Sequence, residues 1–133
     1  MRLVVAGVGA VGCECIKDMA AMGVCCGENG RMTLVDGDCV EISNLHRQLC
    51  FTEADAKNHT NKSDAAATYL TKAFNSSLRV QSQPIMLEYG TQTKVHELFE
   101  QSDAVICTVD GYKARDYVGD ICQAYEKIMT QVD

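Results

Sequence analysis

The chain has 133 residues, 47% of them apolar, and its 12 basic and 18 acidic side chains give a net charge of -6. That length holds one domain with one core, and the acidic balance opposes sequence-independent nucleic-acid binding, which rests on basic surface. No run nears the roughly 18–20 apolar residues of a membrane span, and no secretory signal precedes the strand-like run that begins at Leu3.

Leu3-Val4-Val5-Ala6 reads as a buried strand. Ile16, Met19 and Ala20 then recur at helical spacing as far as Gly23, and Met32-Thr33-Leu34-Val35 reads as a second strand. The polar stretch 36–60 is long for a structureless loop, and loops of that length are usually functional. A helix is predicted over 62–74, with Ala66, Tyr69, Leu70, Ala73 and Phe74 as its buried stripe. Residues 79–82 form a short strand candidate, 93–99 a short helix and 104–109 a fourth strand. The last element is a helix from near Tyr112, with Tyr117, Val118, Ile121, Cys122, Tyr125, Ile128 and Met129 on one face.

The alternation β-α-β-α-β-α-β-α predicts an α/β fold, a Rossmann-like parallel sheet with helices on both faces and right-handed crossovers. With no linker or repeat, a start inside a strand and an end in a helix, residues 1–133 read as a single partial domain. The eight cysteines include no CxxC pair, and Cys13, Cys15, Cys39, Cys107 and Cys122 fall in predicted elements or their edges. They read as reduced thiols of a cytoplasmic or nuclear protein, with Cys25-Cys26 as inert loop or core.

Gly7-x-Gly9-x-x-Gly12 lies between a strand and a helix, the context a nucleotide fingerprint requires. Gly7 permits the tight turn, Gly9 lets a ligand reach the backbone and Gly12 allows close helix–strand contact. The helix N-terminus offers unpaired N–H groups to an anion. Asp36 ends the second strand, where an acid suits a ribose hydroxyl; Asp38 competes with it, and a solvated Asp36-Gly37-Asp38 turn is the plainer alternative.

Three more positions favour ATP over NAD(P). Arg47 in Ser43-Asn44-Leu45-His46-Arg47-Gln48 is a planar cation suited to bidentate phosphate contact, against an ordinary surface ion pair. Lys62 opens a helix, where a cation opposes the macrodipole unless a bound anion offsets it; Asn61 and Asp64 resemble a capping pair there. Asp110 ends the fourth strand, where it is a candidate Mg²⁺ ligand beside a polyphosphate or else caps the next helix. A nucleotidyl-transfer enzyme needs cations around the leaving pyrophosphate, which gives Arg47, Lys62 and Asp110 catalytic roles. An NAD(P)-binding oxidoreductase domain and a non-catalytic adenylation-like scaffold are the alternatives.

Over nearly its whole length the chain resembles the ubiquitin-activating-type family, including its bacterial sulfur-carrier-adenylating relatives. Residues 7–14 look like the family's glycine loop, and residues 43–48 match its Ser-Asn-Leu-x-Arg-Gln signature. Lys62-Ser63-Asp64 matches its lysine helix, Asp110 with Arg115 its strand-end pair, and residues 26–30 an insertion of large single-chain ubiquitin activators. The resemblance implies ATP and Mg²⁺ as cofactors. Asp36 would hold the ribose with Asn44 nearby, Arg47, Gln48 and Lys62 the phosphates, and Asp110 the metal. It implies adenylation of the C-terminal glycine of ubiquitin or a ubiquitin-like protein, with a second adenylation-like half in cis or trans. Three departures stand out: two extra residues between Arg47 and Lys62, Gly111 in place of the family's usual Asn, and no thioester cysteine, carrier-binding segment or cysteine domain within 1–133.

Overall fold

A computed structural model of the chain describes residues 1–74, 77–90 and 93–132. Strands β1 (Arg2–Ala6), β2 (Arg31–Val35), β3 (Val80–Gln83), β4 (Ala104–Cys107) and β5 (Ile128–Gln131) form one sheet in the order β3-β2-β1-β4-β5. Every pairing is parallel, and β1 lies central, with Val4 opposite Thr33 on one side and Val105 on the other.

The α-helices are α1 (Ala10–Ala21), α2 (Glu53–Lys57), α3 (Lys62–Ala73), α4 (Thr93–Glu100) and α5 (Tyr112–Ala124). They segregate by the alternation of β1. Leu3 and Val5 meet Ile16 and Ala20 of α1 and Ala66 and Leu70 of α3. Val4 and Ala6 meet Val95 and Phe99 of α4 and Val118 and Ile121 of α5. Two cores on opposite faces make a doubly covered parallel sheet, whose central strand reads as an unbroken apolar run over residues 3–6. The chain goes outward to β3 on one side of β1 and returns to β4 on the other, which opens a crevice at the carboxyl ends of β1 and β4.

Two expectations from the sequence need correction. The stretch 36–60 is not bare loop: it carries a 3₁₀ turn over Ile42–Asn44 and the short α2. In α2, Thr52 Oγ1 accepts from the Asp55 N–H at 3.2 Å and Asp55 accepts from the Thr52 N–H at 2.9 Å. Val40, Cys50, Phe51 and Ala56 sink into the α1/α3 core, tying the stretch down. Secondly, the final helix stops at Ala124, and Ile128 and Met129 belong to the edge strand β5. The stop is a Schellman turn: Lys127 N–H donates to Cys122 O at 2.8 Å, Glu126 N–H to Gln123 O at 3.2 Å, and Glu126 takes φ +54°. The chain therefore ends in a strand.

All eight cysteines are free thiols. Cys25 is buried, and Cys26 bridges to Leu78.

The end of α1 uses the same Schellman turn with a glycine, Gly23, at φ +80°. Left-handed backbone costs a residue with a Cβ about 1 kcal/mol or more. Gly23→Ala is thus expected to lower stability in urea unfolding by about 1 kcal/mol, and Glu126→Gly to raise it by up to about 1 kcal/mol.

Candidate nucleotide site

The crevice is a cleft of about 360 Å³. Gly7, Gly9, Asp36, Asp38, Arg47, Gln48, Lys62 and Asp110 line it, so eight positions from five separate segments converge. The glycine loop divides its work as the spacing predicts. Gly7 takes φ +93°, and a Cβ there would meet Val109 Cγ1 at 2.9 Å. A Cβ on Gly12 would meet the Gly7 carbonyl oxygen at 2.5 Å and Thr108 Oγ1 at 3.0 Å, so a bare Cα is needed where α1 crosses β1. Around Gly9 the space is open: the nearest atom to an added Cβ is Gln48 Nε2 at 4.0 Å. Gly12 itself acts behind the cleft wall and does not line it.

Asp36 is not a solvated turn residue. Its carboxylate accepts from the Val8 N–H at 2.7 Å and the Asp38 N–H at 2.8 Å, joining β2 to the glycine loop. Burial pushes its carboxyl above the usual carboxylate range, against the opposing pull of those two backbone donors and of Lys62. Asn61 sets the opposite wall. Its amide donates to the carbonyls of Asp36 at 3.0 Å and Asp38 at 3.1 Å, while its Oδ1 accepts from the Ser63 N–H at 2.8 Å. One side chain thereby caps α3 and fastens it to the end of β2, which brings Lys62 to the cleft. Asp64 takes no part in a capping box with Asn61 and instead accepts from Ser82 Oγ at 2.5 Å.

Neither Arg47 nor Lys62 forms an ion pair with a described acidic side chain. Arg47 is exposed, and its Nη1 donates to the Ser43 carbonyl at 3.3 Å. Gln48 is 3% exposed, and its Oε1 is buried with no hydrogen-bond partner. An orphaned amide oxygen costs about 1–3 kcal/mol unless something donates to it. Asp110 is exposed at the end of β4 and does not cap α5; Gly111 occupies that position without a side-chain bond. α1 likewise begins at Gly9 with no side-chain cap and no acidic residue in its first turn. Two uncapped helix N-termini therefore open on one cleft, each with unpaired N–H groups.

Like Gly12, a second residue chosen from the sequence lies outside the cleft lining. Asn44 is 8% exposed and does not line the cleft. Its Oδ1 accepts from the Glu41 N–H at 2.9 Å and its carbonyl from the Gln48 N–H at 2.9 Å, so it shapes the turn that presents Arg47 and Gln48. Several contributors were missed. Thr108 Oγ1 donates to the Gly7 carbonyl at 2.7 Å, and Arg115 Nε to the Val109 carbonyl at 2.9 Å, fixing the two loops together. Met86 and Leu87 supply an apolar wall, and a Cβ on Gly37 would meet Met86 Sδ at 2.1 Å. The position of Arg115 in the strand-end pair was a usable signal; Met86 and Leu87 had none, since they reach the cleft only through sheet order.

Gly12→Ala is expected to cost about 1–3 kcal/mol in denaturant unfolding through overpacking against backbone, whereas Gly9→Ala should leave the midpoint unchanged. The raised Asp36 carboxyl binds its proton more tightly folded than unfolded. Its contribution to stability is therefore full below the unfolded carboxylate range and is lost as pH rises through the folded value. Asp36→Asn removes that dependence, so the destabilisation it causes should shrink as unfolding is repeated from acid to neutral pH.

The chain matches the ThiF family over residues 1–132. It is 35% identical over 127 residues to ubiquitin-activating enzyme E1 1 of Triticum aestivum, covering 95% of this chain but only 12% of that protein. Among solved structures it resembles the microcin C7 biosynthetic enzyme MccB in complex with N-formylated MccA (TM-score 0.79, 25% identity, 99% of this chain and 36% of that one). It also shares the fold of the E. coli tRNA N6-threonylcarbamoyladenosine dehydratase TcdA in complex with AMP (TM-score 0.76, 19% identity, 98% and 49%). With a family match along its whole described length, a doubly covered parallel sheet and a glycine loop at its switch point, this chain belongs to the ThiF family.

Proposed function

We propose that this chain is the ATP·Mg-binding part of an enzyme that adenylates the C-terminal glycine of ubiquitin or a ubiquitin-like protein. One observation carries the reading: Arg47 and Lys62, both without acidic partners among the described residues, share a cleft with two uncapped helix N-termini and Asp110. Four sources of positive potential beside Asp36, Asp38 and Asp110 suit a triphosphate and a hard cation, and exceed what one nicotinamide pyrophosphate needs. The wheat relative's name and the AMP bound to TcdA support the same reading.

In this reading the adenosine ribose lies against Asp36, whose two oxygens each retain a lone pair beyond the backbone donors. The triphosphate crosses Gly9, where a side chain would be in the way. Arg47 and Lys62 bind the β- and γ-phosphates, and the buried Gln48 amide reaches the phosphate chain. Among the described residues no group of three or more His, Cys, Asp or Glu side chains is placed to hold a metal. Asp110 would therefore share Mg²⁺ with phosphate oxygens, the arrangement this ion favours. Bound there, the ion would neutralise charge on the departing pyrophosphate. A carrier carboxylate oxygen forms a bond to the α-phosphorus as the bond to the bridging oxygen breaks, and pyrophosphate leaves with the electron pair. No proton moves, so the protein's work is alignment and charge stabilisation.

The chain spans 12% of the wheat relative, so the carrier, a second adenylation-like half and a cytoplasmic or nuclear setting are proposals about the larger protein. Among the described residues no helix is long and apolar enough to cross a membrane.

Lys62→Ala and Arg47→Ala should each weaken MgATP binding to this chain about tenfold or more by calorimetry, as expected for losing a charge-assisted contact. NADH fluorescence should not respond to the chain. In the full-length protein, Asp110→Ala should abolish ATP–pyrophosphate exchange with a ubiquitin-like carrier. NADH enhancement indifferent to Lys62→Ala would replace this reading with a dehydrogenase; no nucleotide binding at all in the full protein would leave a scaffold.

A further inference from the structure

Asn61 does not line the nucleotide cleft, yet its side chain spends every hydrogen-bonding position it has beside it. A primary amide carries two N–H donors and an oxygen with two lone pairs. Both donors turn back to the end of β2, to the Asp36 carbonyl at 3.0 Å and the Asp38 carbonyl at 3.1 Å. The oxygen accepts twice from the start of α3, from the Ser63 N–H at 2.8 Å and the Ser63 hydroxyl at 2.5 Å. Ser63 is fully buried, so the side chain is a strut with one foot in the core and one on the sheet.

The two ends of the strut are held unequally. Asp36 is fixed by other bonds: its N–H donates to the Gln83 carbonyl at 3.2 Å, and its carboxylate accepts from the Val8 and Asp38 N–H groups. The first turn of α3 is attached to this end of β2 by the strut and by the Lys62 N–H, which donates to the Asp38 carbonyl at 2.9 Å. Lys62 is the first residue of its helix, where the macrodipole repels its ammonium, and it forms no ion pair with a described acidic side chain. Its place over the cleft therefore depends on how firmly that turn is held.

Resting on the nucleotide reading above, we propose that Asn61 is a positioning residue that ties the ribose end of the cleft to its phosphate end and so makes the site select a nucleoside triphosphate over the monophosphate. Asp36 meets the ribose of either nucleotide. Lys62 meets the phosphates that the monophosphate lacks. Loosening the strut leaves Asp36 in place and lets the ammonium drift, so the triphosphate alone loses affinity.

The test is calorimetry of MgATP and AMP on the 133-residue chain. Asn61→Ser keeps a capping oxygen for the Ser63 N–H but gives up both bonds to β2. It is expected to weaken MgATP about fivefold and leave AMP unchanged. Asn61→Thr, a second hydroxyl cap, should repeat the pattern. In a Lys62→Ala background Asn61→Ser should cost MgATP nothing more, because the group it positions is gone. Equal loss of both nucleotides would mark Asn61 as merely structural and overturn the proposal, as would losses that add in the double variant. A wild-type chain that binds no MgATP, or a Lys62→Ala variant that binds it undiminished, would defeat the nucleotide reading and this inference with it. A clear Lys62→Ala loss with no loss in either Asn61 variant would defeat this inference alone.

Discussion

A carbonyl oxygen sets the approach of α1 to the sheet. A Cβ on Gly12 would lie 2.5 Å from the Gly7 oxygen, so the helix can cross β1 this closely only on a bare Cα. Thr108 of the β4 loop closes the same joint by donating to that oxygen. The joint lies where the strand order turns from β2 to β4, so one steric constraint fixes the first turn of α1, the end of β1 and the end of β4 together. Every contact in the nucleotide cleft is measured from that fixed corner. The interior is dense enough that a one-methyl change there has no slack to absorb it.

The chain is acidic overall, and Asp36, Asp38 and Asp110 line the cleft itself, so the positive potential there comes from local choices. Thr52 caps α2, and Asn61 caps α3, whose first residue, Lys62, lines the cleft. Helices α1 and α5, which also open on the cleft, begin at glycines with no side-chain cap. Lys62 sits at a helix start, where its charge is unfavourable to the helix itself. It is held there by Asn61, which ties α3 to the carbonyls of Asp36 and Asp38. The cost of placing a cation against a dipole is offset once an anion arrives, which is why this conflict marks a binding site rather than a packing error.

The stretch 36–60 is where function and folding are hardest to separate. Its exposed face presents Arg47, while Val40, Cys50 and Phe51 enter the α1/α3 core. Cys50 lies with Cys13 of α1 in that core, which ties the stretch to the helix just past the glycine loop. Asn44 spends its polar groups on the turn. Arg47 and Gln48 are thus carried on a segment as well anchored as the sheet, although it reads as polar loop. The Thr52–Asp55 capping pair was the local signal for α2, overlooked because a five-residue helix leaves no periodicity.

By itself the sequence determined what local chemistry dictates. It marked the apolar runs of the three central strands, the glycine spacing, the glycine stop of α1 at Gly23 and the strand-end acids, because each depends only on neighbours in the chain. It misassigned Ile128 and Met129, because α5 stops at Glu126, a left-handed residue with no glycine to announce it. The two apolar side chains continue the helical stripe equally well, and only pairing with β4 makes them a strand. Tertiary structure alone decided that Asn44 faces the turn, that Met86 and Leu87 wall the cleft, and that the Tyr117 hydroxyl is buried without a partner among the described residues. Those outcomes depend on which strands lie side by side and on what remains to meet each buried polar atom, quantities set by long-range packing that no window of sequence contains.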